Sequence, residues 1–415
     1  MEWTDDRLDE MMATGDPWAD KIFEDQDPAV VGPLINKLYR RDFSGVPPVL
    51  IKRMEEFRAA YRLDLLDKWT PADHRRMRQA ERAYLSHSIP AAACLLLSAV
   101  PQGYCAPRLS RVLTYTGLLE EATLRRLLGV LQMVLDVIFV GGFEEDGQAV
   151  RTGVHLRFMH AAIRRLLKDQ VEKGRLQWDE AKDGALISRE DMLGTLMGFS
   201  LLVTDGLPRL GFDLDKRIDE DIWFLWRNFG RTLGIPDRFL PTSDSDARVF
   251  YEAYMRRHFK PASENPDGVK LAAANLKATA GLLKQYLPFP LNRGNLPYKL
   301  SQTVMVHLIG PDLSRKLDVD KPPMLLNLSI NTMQHVIGLV YDAVTQGTDR
   351  RSGFRRFVRR RARSMNQRLF ENLIQTDLGG RPMWEIPSSL ADLQKLVDRE
   401  DMEPITADEP PPPQS

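Results

Sequence analysis

The stretch HLRFMHAAIRRLL, residues 155–167, places a histidine between two arginines in a run that is otherwise largely apolar. Arg157, His160 and Arg164 are spaced three and four residues apart, so on an α-helix they share one face. A neutral imidazole binds transition metals, and a guanidinium pairs with a carboxylate through two hydrogen bonds. The spacing therefore indicates a helix face that meets a ligand that is both apolar and anionic. The alternative is a histidine packed in an ordinary core beside two surface arginines.

Haem b has the three properties that such a face demands: an iron atom that needs an axial nitrogen, an apolar ring and two propionates. The same helix offers apolar surface, and small side chains that let a large ring approach, at Leu156, Ala161, Ala162, Ile163 and Leu167. We therefore predict that His160 is the metal ligand and that Arg157 and Arg164 bind the propionates. The two neighbouring cations also favour the neutral imidazole that ligation requires.

The composition is that of a soluble globular protein: 415 residues, 43% hydrophobic and 27% charged, with a formal net charge of zero. This balance of charge gives no argument for a nucleic-acid partner. The acidic start, MEWTDDRLDEMM, lacks the basic and apolar segments of an export signal, and no apolar run reaches the length of a membrane span. Cys94 and Cys105 make no disulfide framework, so we expect two reduced, buried thiols in a cytoplasmic protein.

Apolar residues recur at helical spacing along most of the chain, and convincing period-two strands are absent. This pattern predicts helices over residues 119–140, 152–169, 219–233, 247–259, 269–285, 300–308, 326–345 and 353–374. Ser188, with Asp191 three positions later, predicts the capped start of a further helix that carries DMLGTLMGFSLLVTDGL. Gly141 and Gly142 end the first of these helices, and Gly234 ends the third.

The fold class predicted from these elements is all-α, with a single large helical domain that encloses haem b and carries N-terminal and C-terminal extensions. We assign residues 1–60 to the N-terminal extension, residues 61–400 to the haem-binding domain and residues 401–415 to a disordered, proline-rich tail. Phosphate-binding loops, zinc-type cysteine pairs, the serine-hydrolase elbow and the Glu-x-x-His pairs of di-iron bundles are absent from the sequence. These absences favour a cofactor that is held by few side chains.

Five segments, in order, resemble the latex clearing proteins (rubber oxygenases) and their superfamily, which includes a fungal oxygenase of mycophenolic acid biosynthesis. The segments are YCAPRLSRVLTYTGLLEE, RRLLGVLQMVLDVIFVGG, RFMHAAIRRLL, DMLGTLMGFSLLVTDGLPRLG and WFLWRNFGRTLGIP, within residues 84–240. The resemblance implies an all-α enzyme that uses haem b and dioxygen to cleave a carbon–carbon double bond of an isoprenoid. It implies His160 as the proximal iron ligand, Arg157 as the arginine beside it, and Arg126 as a catalytic arginine over the other face of the haem.

The sequence departs from the rubber oxygenases at the segment that begins with Arg126. Gly129 and Val130 replace the lysine and threonine of that subfamily, so the oxygen-binding side loses two hydrogen-bond donors. Glu120 and Glu121 are out of register with the distal glutamate of the family. Because the sequence shows no export signal, extracellular rubber is a poor candidate substrate. We expect chemistry closer to that of the intracellular branches of the superfamily.

The predicted function is a haem b-dependent oxygenase whose partners are dioxygen and a lipophilic alkene or isoprenoid, with oxidative cleavage of a C=C bond. An apolar channel for that substrate is predicted at Leu127, Val130, Met133, Leu196 and Phe199, with Thr195 and Ser200 as the nearest polar groups. His307 and His335 are alternatives for a second axial ligand. The alternative function is a haem-binding oxidoreductase, a sensor or a helical interaction protein without cleavage activity.

A basic segment begins at Arg350 and ends at Arg368, and it contains nine arginines together with apolar residues at helical spacing. One interpretation is a solvated helix whose apolar stripe packs on the core. The other is peripheral contact with an anionic membrane, which would place a cytoplasmic protein at the source of a lipid substrate. No recognised motif accompanies the segment, so nucleic acid is not an expected partner.

Overall fold

A computed structural model describes residues 2–322, apart from short gaps at residues 25–26, 40–41, 66–68, 117–120, 140, 145–146, 213, 287–288 and 291. The helices predicted over residues 326–345 and 353–374, His335, the basic segment and the predicted tail lie outside the described residues. The described residues form helices and no strand, so the predicted all-α fold class is confirmed.

The first helices in the chain are α1 (Asp5–Ala13), α2 (Pro17–Glu24), α3 (Pro28–Tyr39), α4 (Pro48–Leu65), α5 (Pro71–Ser86) and α6 (Ser88–Cys94). A π-helical segment, Leu95–Ala99, joins α6 to α7 (Val100–Tyr104). The next are α8 (Pro107–Tyr115), α9 (Glu121–Ile138), α10 (Gln148–Glu172), α11 (Glu180–Asp183), α12 (Arg189–Phe199) and α13 (Leu201–Arg209). The last described helices are α14 (Lys216–Thr232), α15 (Asp244–His258), α16 (Pro266–Tyr286) and α17 (Leu296–Lys316).

The predicted helix starts and ends are largely those of the structure. The Oγ atom of Ser188 accepts a hydrogen bond from the backbone N–H of Asp191 at 3.2 Å, which caps α12 as predicted. Gly141 and Gly234 have φ angles of +87° and +78°, the left-handed conformation that commonly ends helices and that glycine adopts without strain. These residues mark the start of α12 and the ends of α9 and α14.

One predicted helix is broken. The sequence predicts a continuous helix beyond Phe199, but Ser200 has φ −103° and ψ −87°, and the chain restarts there as α13. The Ser200 hydroxyl donates to the carbonyl oxygen of Leu196 at 3.1 Å, an alternative to regular backbone bonding that serine side chains often offer. Periodicity alone does not register such a local break.

The N-terminal segment packs into the domain. Leu8 and Met11, one turn apart on α1, are fully buried in the main hydrophobic core, and Asp16 is buried beside α10. Helices α2 and α3 pack directly on α10. The first part of the predicted extension over residues 1–60 is therefore an integral layer over the histidine helix, because its apolar stripes need that surface to be buried.

The core is organised around α14, whose Trp223, Trp226 and Phe229 are almost completely buried and pack towards α5, α10 and α12. Cys94 and Cys105 are free and buried, as predicted, and burial raises the pKa of each thiol to about 12.

Among the described helices none by itself has the length and apolar character of a membrane span. The bent pair Pro71–Ser86 and Ser88–Tyr104 has that length and apolar character only when the two helices are taken together.

Candidate functional site

A cavity of about 450 Å³ lies where helices α7, α8, α9, α10 and α12 meet. Its size falls within the range of roughly 300–1,000 Å³ that is typical of small-molecule sites. Its walls are mainly aliphatic, and they include all five residues predicted to line an apolar channel: Leu127, Val130, Met133, Leu196 and Phe199. The cavity can therefore hold a large apolar ligand and keep water from it.

Glycines on the surrounding helices make part of this space. A Cβ atom added at Gly103, on α7, would meet no atom within 4 Å. A Cβ atom added at Gly194, on α12, would lie 2.7 Å from the ring of Tyr254, so this position must lack a side chain for the two helices to pack as they do. Both glycines border the cavity, and so does Gly129 on α9.

His160 borders the cavity from α10. Its ring makes no hydrogen bond to any residue that the structure describes, so its nitrogens are available to a ligand. Burial first, and then the positive charge of Arg164, lower the pKa of His160 to about 3, although Asp16 opposes the shift. The imidazole is therefore neutral at physiological pH and offers one unprotonated nitrogen, which is the form that binds a metal.

Arg157 and Arg164 share a helix face with His160, but neither borders the cavity. Arg157 donates from Nε and Nη2 to the two carboxylate oxygens of Asp16, at 2.7 and 3.0 Å. Arg164 donates from Nε to Oδ1 of Asp20 at 2.8 Å. The predicted contact of these arginines with cofactor carboxylates stays a prediction that this geometry does not favour, because both guanidinium groups are engaged by the N-terminal segment.

The ion pairs beneath His160 form a buried cluster. Burial by itself would raise the pKa of Asp16, but the hydrogen bond and charge of Arg157, together with two further arginines, lower it to about 2. One of these is Arg189, whose Nη2 lies 3.0 Å from Asp16 Oδ1. This cluster holds α10, the helix that carries the histidine, in place. The positive charge of its arginines favours the neutral form of the imidazole. No pattern in the sequence indicates Asp16 as the partner of these arginines.

Arg126 borders the cavity from α9, as predicted for a residue near the ligand. Its Nη2 donates to the hydroxyl oxygen of Tyr104 at 2.5 Å, and its Nη1 is buried without a hydrogen-bond partner among the described residues. Tyr104 also borders the cavity. Sequence reasoning missed this tyrosine, although it opens the first of the five segments that resemble the rubber oxygenases.

Asp191 brings a carboxylate to the cavity, but its oxygens are already bonded. It accepts hydrogen bonds from Arg108 Nη2 at 2.7 Å, from the Ser188 hydroxyl at 2.9 Å and from the Tyr254 hydroxyl at 3.4 Å. Thr195, predicted as a polar wall residue, borders the cavity but donates to the Asp191 carbonyl oxygen at 2.8 Å. The Asp191 carboxylate and the Thr195 hydroxyl are therefore both satisfied by groups of the protein.

The other histidines that sequence reasoning considered lie elsewhere. The His155 ring packs on the ring of Tyr39, with centroids 4.3 Å apart. Nε2 of His307 lies 2.7 Å from the Arg209 carbonyl oxygen, and this residue does not border the cavity. Among the described histidines, His160 is therefore the one placed to bind a ligand there.

Comparison with known proteins agrees with the fold. A protein-family model described as ER-bound oxygenase mpaB/B'/Rubber oxygenase, catalytic domain, matches residues 88–328, more than half of the chain. The chain belongs to this family. It is therefore an enzyme of the oxygenase class, and the predicted resemblance is confirmed.

The fold is similar to that of a solved structure of latex clearing protein in the closed state. The TM-score is 0.64, with 18% sequence identity, and the match covers 86% of this chain and 91% of that chain. At this identity the likeness concerns the fold. No curated protein matches the chain.

Proposed function

We propose that this oxygenase is haem b-dependent and that it acts with dioxygen on a lipophilic alkene or isoprenoid, with cleavage of a C=C bond. The observation that carries the proposal is His160, a neutral imidazole without a hydrogen-bond partner among the described residues, at the wall of a large apolar cavity.

The residues present fit the cofactor in two respects. His160 supplies the one axial nitrogen that haem iron needs, and the aliphatic walls suit a flat apolar ring. The unpartnered Nη1 of Arg126 offers a donor for an acidic or oxygen group. Haem, when bound, supplies the iron that activates dioxygen.

The residues of the protein would bind the substrate and exclude water from it. The cavity wall is apolar on two helices, at Leu127, Val130 and Met133 on α9 and at Leu196 and Phe199 on α12. Transfer of an isoprenoid chain from water to this wall is therefore favourable in free energy. Burial first, and then the charge of Arg164, lower the pKa of His160 and keep its imidazole unprotonated. The salt bridge to Asp20 holds Arg164 in place. Arg126 can donate a hydrogen bond from its unpartnered Nη1 to an oxygen atom in the cavity.

A second candidate is a haem-binding oxidoreductase or sensor without cleavage activity. It is favoured by Gly129 and Val130, which border the cavity and have no polar side chain. The rubber oxygenases that this chain resembles carry lysine and threonine at these two positions. Fewer donors near the ligand would weaken stabilisation of charge on oxygen. A cytoplasmic location and membrane contact through the segment from Arg350 to Arg368 also stay proposals.

The experiment that tests the cofactor is an absorption spectrum of the purified chain, expressed with ample haem. We expect a Soret band, and we expect His160→Ala to lose most of it. His307→Ala, which removes a histidine outside the cavity, should keep haem at the level of the unaltered protein. A colourless protein, or full haem content in His160→Ala, would contradict the proposal.

The experiment that separates the two candidates is oxygen consumption with farnesyl and geranylgeranyl compounds. Cleavage of a C=C bond by dioxygen gives one aldehyde and one ketone, so carbonyl products should appear in step with the oxygen consumed. Haem-loaded protein that consumes no oxygen with any such compound would favour the sensor or the other oxidoreductase.

A further inference from the structure

The hydrogen bond between Arg126 and Tyr104 leaves the tyrosine with an unused proton. A guanidinium has donors only, so the Tyr104 hydroxyl oxygen must be the acceptor of the 2.5 Å bond from Arg126 Nη2. Its own O–H then has no acceptor among the residues that the structure describes. Tyr104 is only 3% exposed, so bulk water does not take that role.

The backbone of Tyr104 is held in place from several sides. Its carbonyl oxygen accepts hydrogen bonds from the Ser110 hydroxyl at 3.0 Å and from Nδ2 of Asn265 at 2.6 Å. Gly268 packs so closely on the same carbonyl that a Cβ atom there would lie 2.2 Å away. The neighbouring Gly103 faces open space. The chain therefore presents a fixed tyrosine at the edge of the cavity.

Apart from His160, whose ring makes no hydrogen bond to a described residue, the remaining polar side chains at the cavity are satisfied within the described part of the protein. The Tyr251 hydroxyl donates to Oε1 of Gln102 at 3.2 Å, and the Thr116 hydroxyl donates to the Leu113 carbonyl oxygen at 2.8 Å. Asp191 is paired with Arg108. Besides the ring N–H of His160, the unused donors in the described cavity wall are therefore those of Tyr104 and Arg126.

Arg126 also lacks a counter-ion among the described residues. The Arg126 side chain is half-buried, but its Nη1 is buried without a hydrogen-bond partner among the described residues, and an anionic oxygen would both accept from this atom and balance the charge. The protein offers no such group beside it in the part of the chain described, whereas the cavity has room for one on a ligand. Two adjacent donors, one of them charged, form the usual recognition element for a carboxylate.

We propose that Tyr104 and Arg126 together bind an anionic oxygen of the cavity ligand, with one hydrogen bond from the tyrosine hydroxyl and one from the guanidinium. The ligand class is an apolar body that carries a carboxylate. The carboxylate belongs either to the acidic edge of the cofactor or to the head group of the substrate. The inference rests on the proposed function only in taking this cavity as the ligand site.

Dodecanoate and dodecanol, which share an alkyl chain and differ in the head group, are the probes for a substrate carboxylate. Competition with a fluorescent lipid gives their affinities for the purified protein. We expect Tyr104→Phe and Arg126→Gln each to weaken dodecanoate binding about tenfold and to leave dodecanol within about twofold. Tyr84→Phe is the matched control, because Tyr84 is equally buried but donates to the Phe199 carbonyl oxygen at 3.2 Å.

The rate of haem transfer to a scavenging apoprotein is the probe for a cofactor carboxylate. If the anionic oxygen is that of the cofactor, Tyr104→Phe and Arg126→Gln should release haem about tenfold faster than Tyr84→Phe, with no effect on dodecanoate. The thermal midpoint of each variant checks that the variant folds. If Tyr104→Phe does not fold, Arg126→Gln alone provides the test.

The proposal is overturned if both variants match the Tyr84→Phe control in both assays. Its failure is distinguishable from failure of the haem assignment. His160→Ala should lose haem yet still prefer dodecanoate to dodecanol, and protein that never binds haem still reports on the carboxylate through the first assay.

Discussion

Asp16 and Arg157 form a buried bidentate ion pair across 141 residues of chain, with N–O distances of 2.7 and 3.0 Å. Their side chains are only 4% and 7% exposed, and the guanidinium also lies 4.6 Å from the ring centroid of Phe57. The pair fastens the loop between α1 and α2 to the helix that carries His160. The N-terminal segment is therefore part of what positions the candidate metal ligand.

Removing the charge of Asp16 should destabilise the fold strongly. Asp16→Asn leaves Arg157 and Arg189 buried without their carboxylate, and breaking one side of such a cluster costs about 3–5 kcal/mol. Denaturant unfolding of the purified variant measures this loss. Asp169→Asn is the control, because the side chains of Asp169 and its partner Lys173 are 35% and 52% exposed and the loss of such a pair should cost at most about 1 kcal/mol. Equal effects of the two substitutions would contradict the buried role of Asp16.

The same pair predicts a dependence of stability on acid. The pKa of Asp16 is lower in the folded protein, at about 2, than its ordinary value of 3.8. Its contribution is therefore complete above about pH 4 and is lost as the pH falls towards 2, a change of about 2 kcal/mol. In Asp16→Asn this part of the acid-induced loss should be missing when unfolding is measured at several pH values between 2 and 5.

Glu81, on α5, gives the opposite pH dependence. It is 2% exposed, and its Oε2 has no hydrogen-bond partner among the described residues. Burial raises the pKa of this carboxyl to about 7, although a backbone hydrogen bond from Gly141 opposes the shift. The folded protein therefore holds a proton that the unfolded chain releases above about pH 4.5, and stability falls as the pH rises from 4.5 to 7.

Glu81→Gln should remove that loss. We expect the variant to gain about 2 kcal/mol relative to the unaltered protein on going from pH 4.5 to pH 8, because glutamine has no charge to bury. Thermal or denaturant unfolding at the two pH values measures the difference. Glu172→Gln, an exposed substitution near the end of α10, should show no such pH-dependent gain. A constant difference between Glu81→Gln and the unaltered protein at both pH values would refute the assignment.

Gly194 and Gly198 lie one turn apart on α12 and differ in what a side chain would meet. A Cβ atom at Gly194 would lie 2.7 Å from the Tyr254 ring, whereas at Gly198 it would lie 3.3 Å from the Cβ of Ala99. Gly194→Ala should therefore lower the free energy of unfolding by about 1–3 kcal/mol, and Gly198→Ala should change it less. Unfolding curves for the two variants make the comparison, and a larger cost at Gly198 would contradict the packing described.

The sequence was sufficient for the residues whose placement depends on local spacing. His160 and the five apolar channel residues lie on α9, α10 and α12, and helical periodicity fixes which side chains share a face. The face of a helix that meets the core also meets the cavity inside that core. Prediction of these residues therefore needed little more than the period of the helix and the family resemblance.

The sequence was insufficient where the partner lies far along the chain. Spacing shows that Arg157 and Arg164 share a face, but it does not show which residue of another helix meets that face. Their partners, Asp16 and Asp20, lie 141 and 144 residues away. The predicted contacts of these arginines with propionates stay a prediction, and in the fold both arginines pair with the N-terminal segment. Tyr104 was missed for the same reason, since only tertiary packing brings it to Arg126.

Gly103 provides a direct test of the cavity as a ligand site. It borders the cavity, and a Cβ atom there would meet nothing within 4 Å, so Gly103→Leu adds a side chain to open space without a clash at Cβ. We expect haem content, or dodecanoate binding, to fall at least about fivefold because the added side chain competes for the cavity, while the thermal midpoint changes little. Gly281→Leu is the control, since Gly281 is an exposed glycine of α16 whose Cβ would also meet nothing. If Gly103→Leu keeps both ligands at the level of Gly281→Leu, the ligand lies elsewhere, because a side chain that fills the cavity cannot coexist with a molecule bound there.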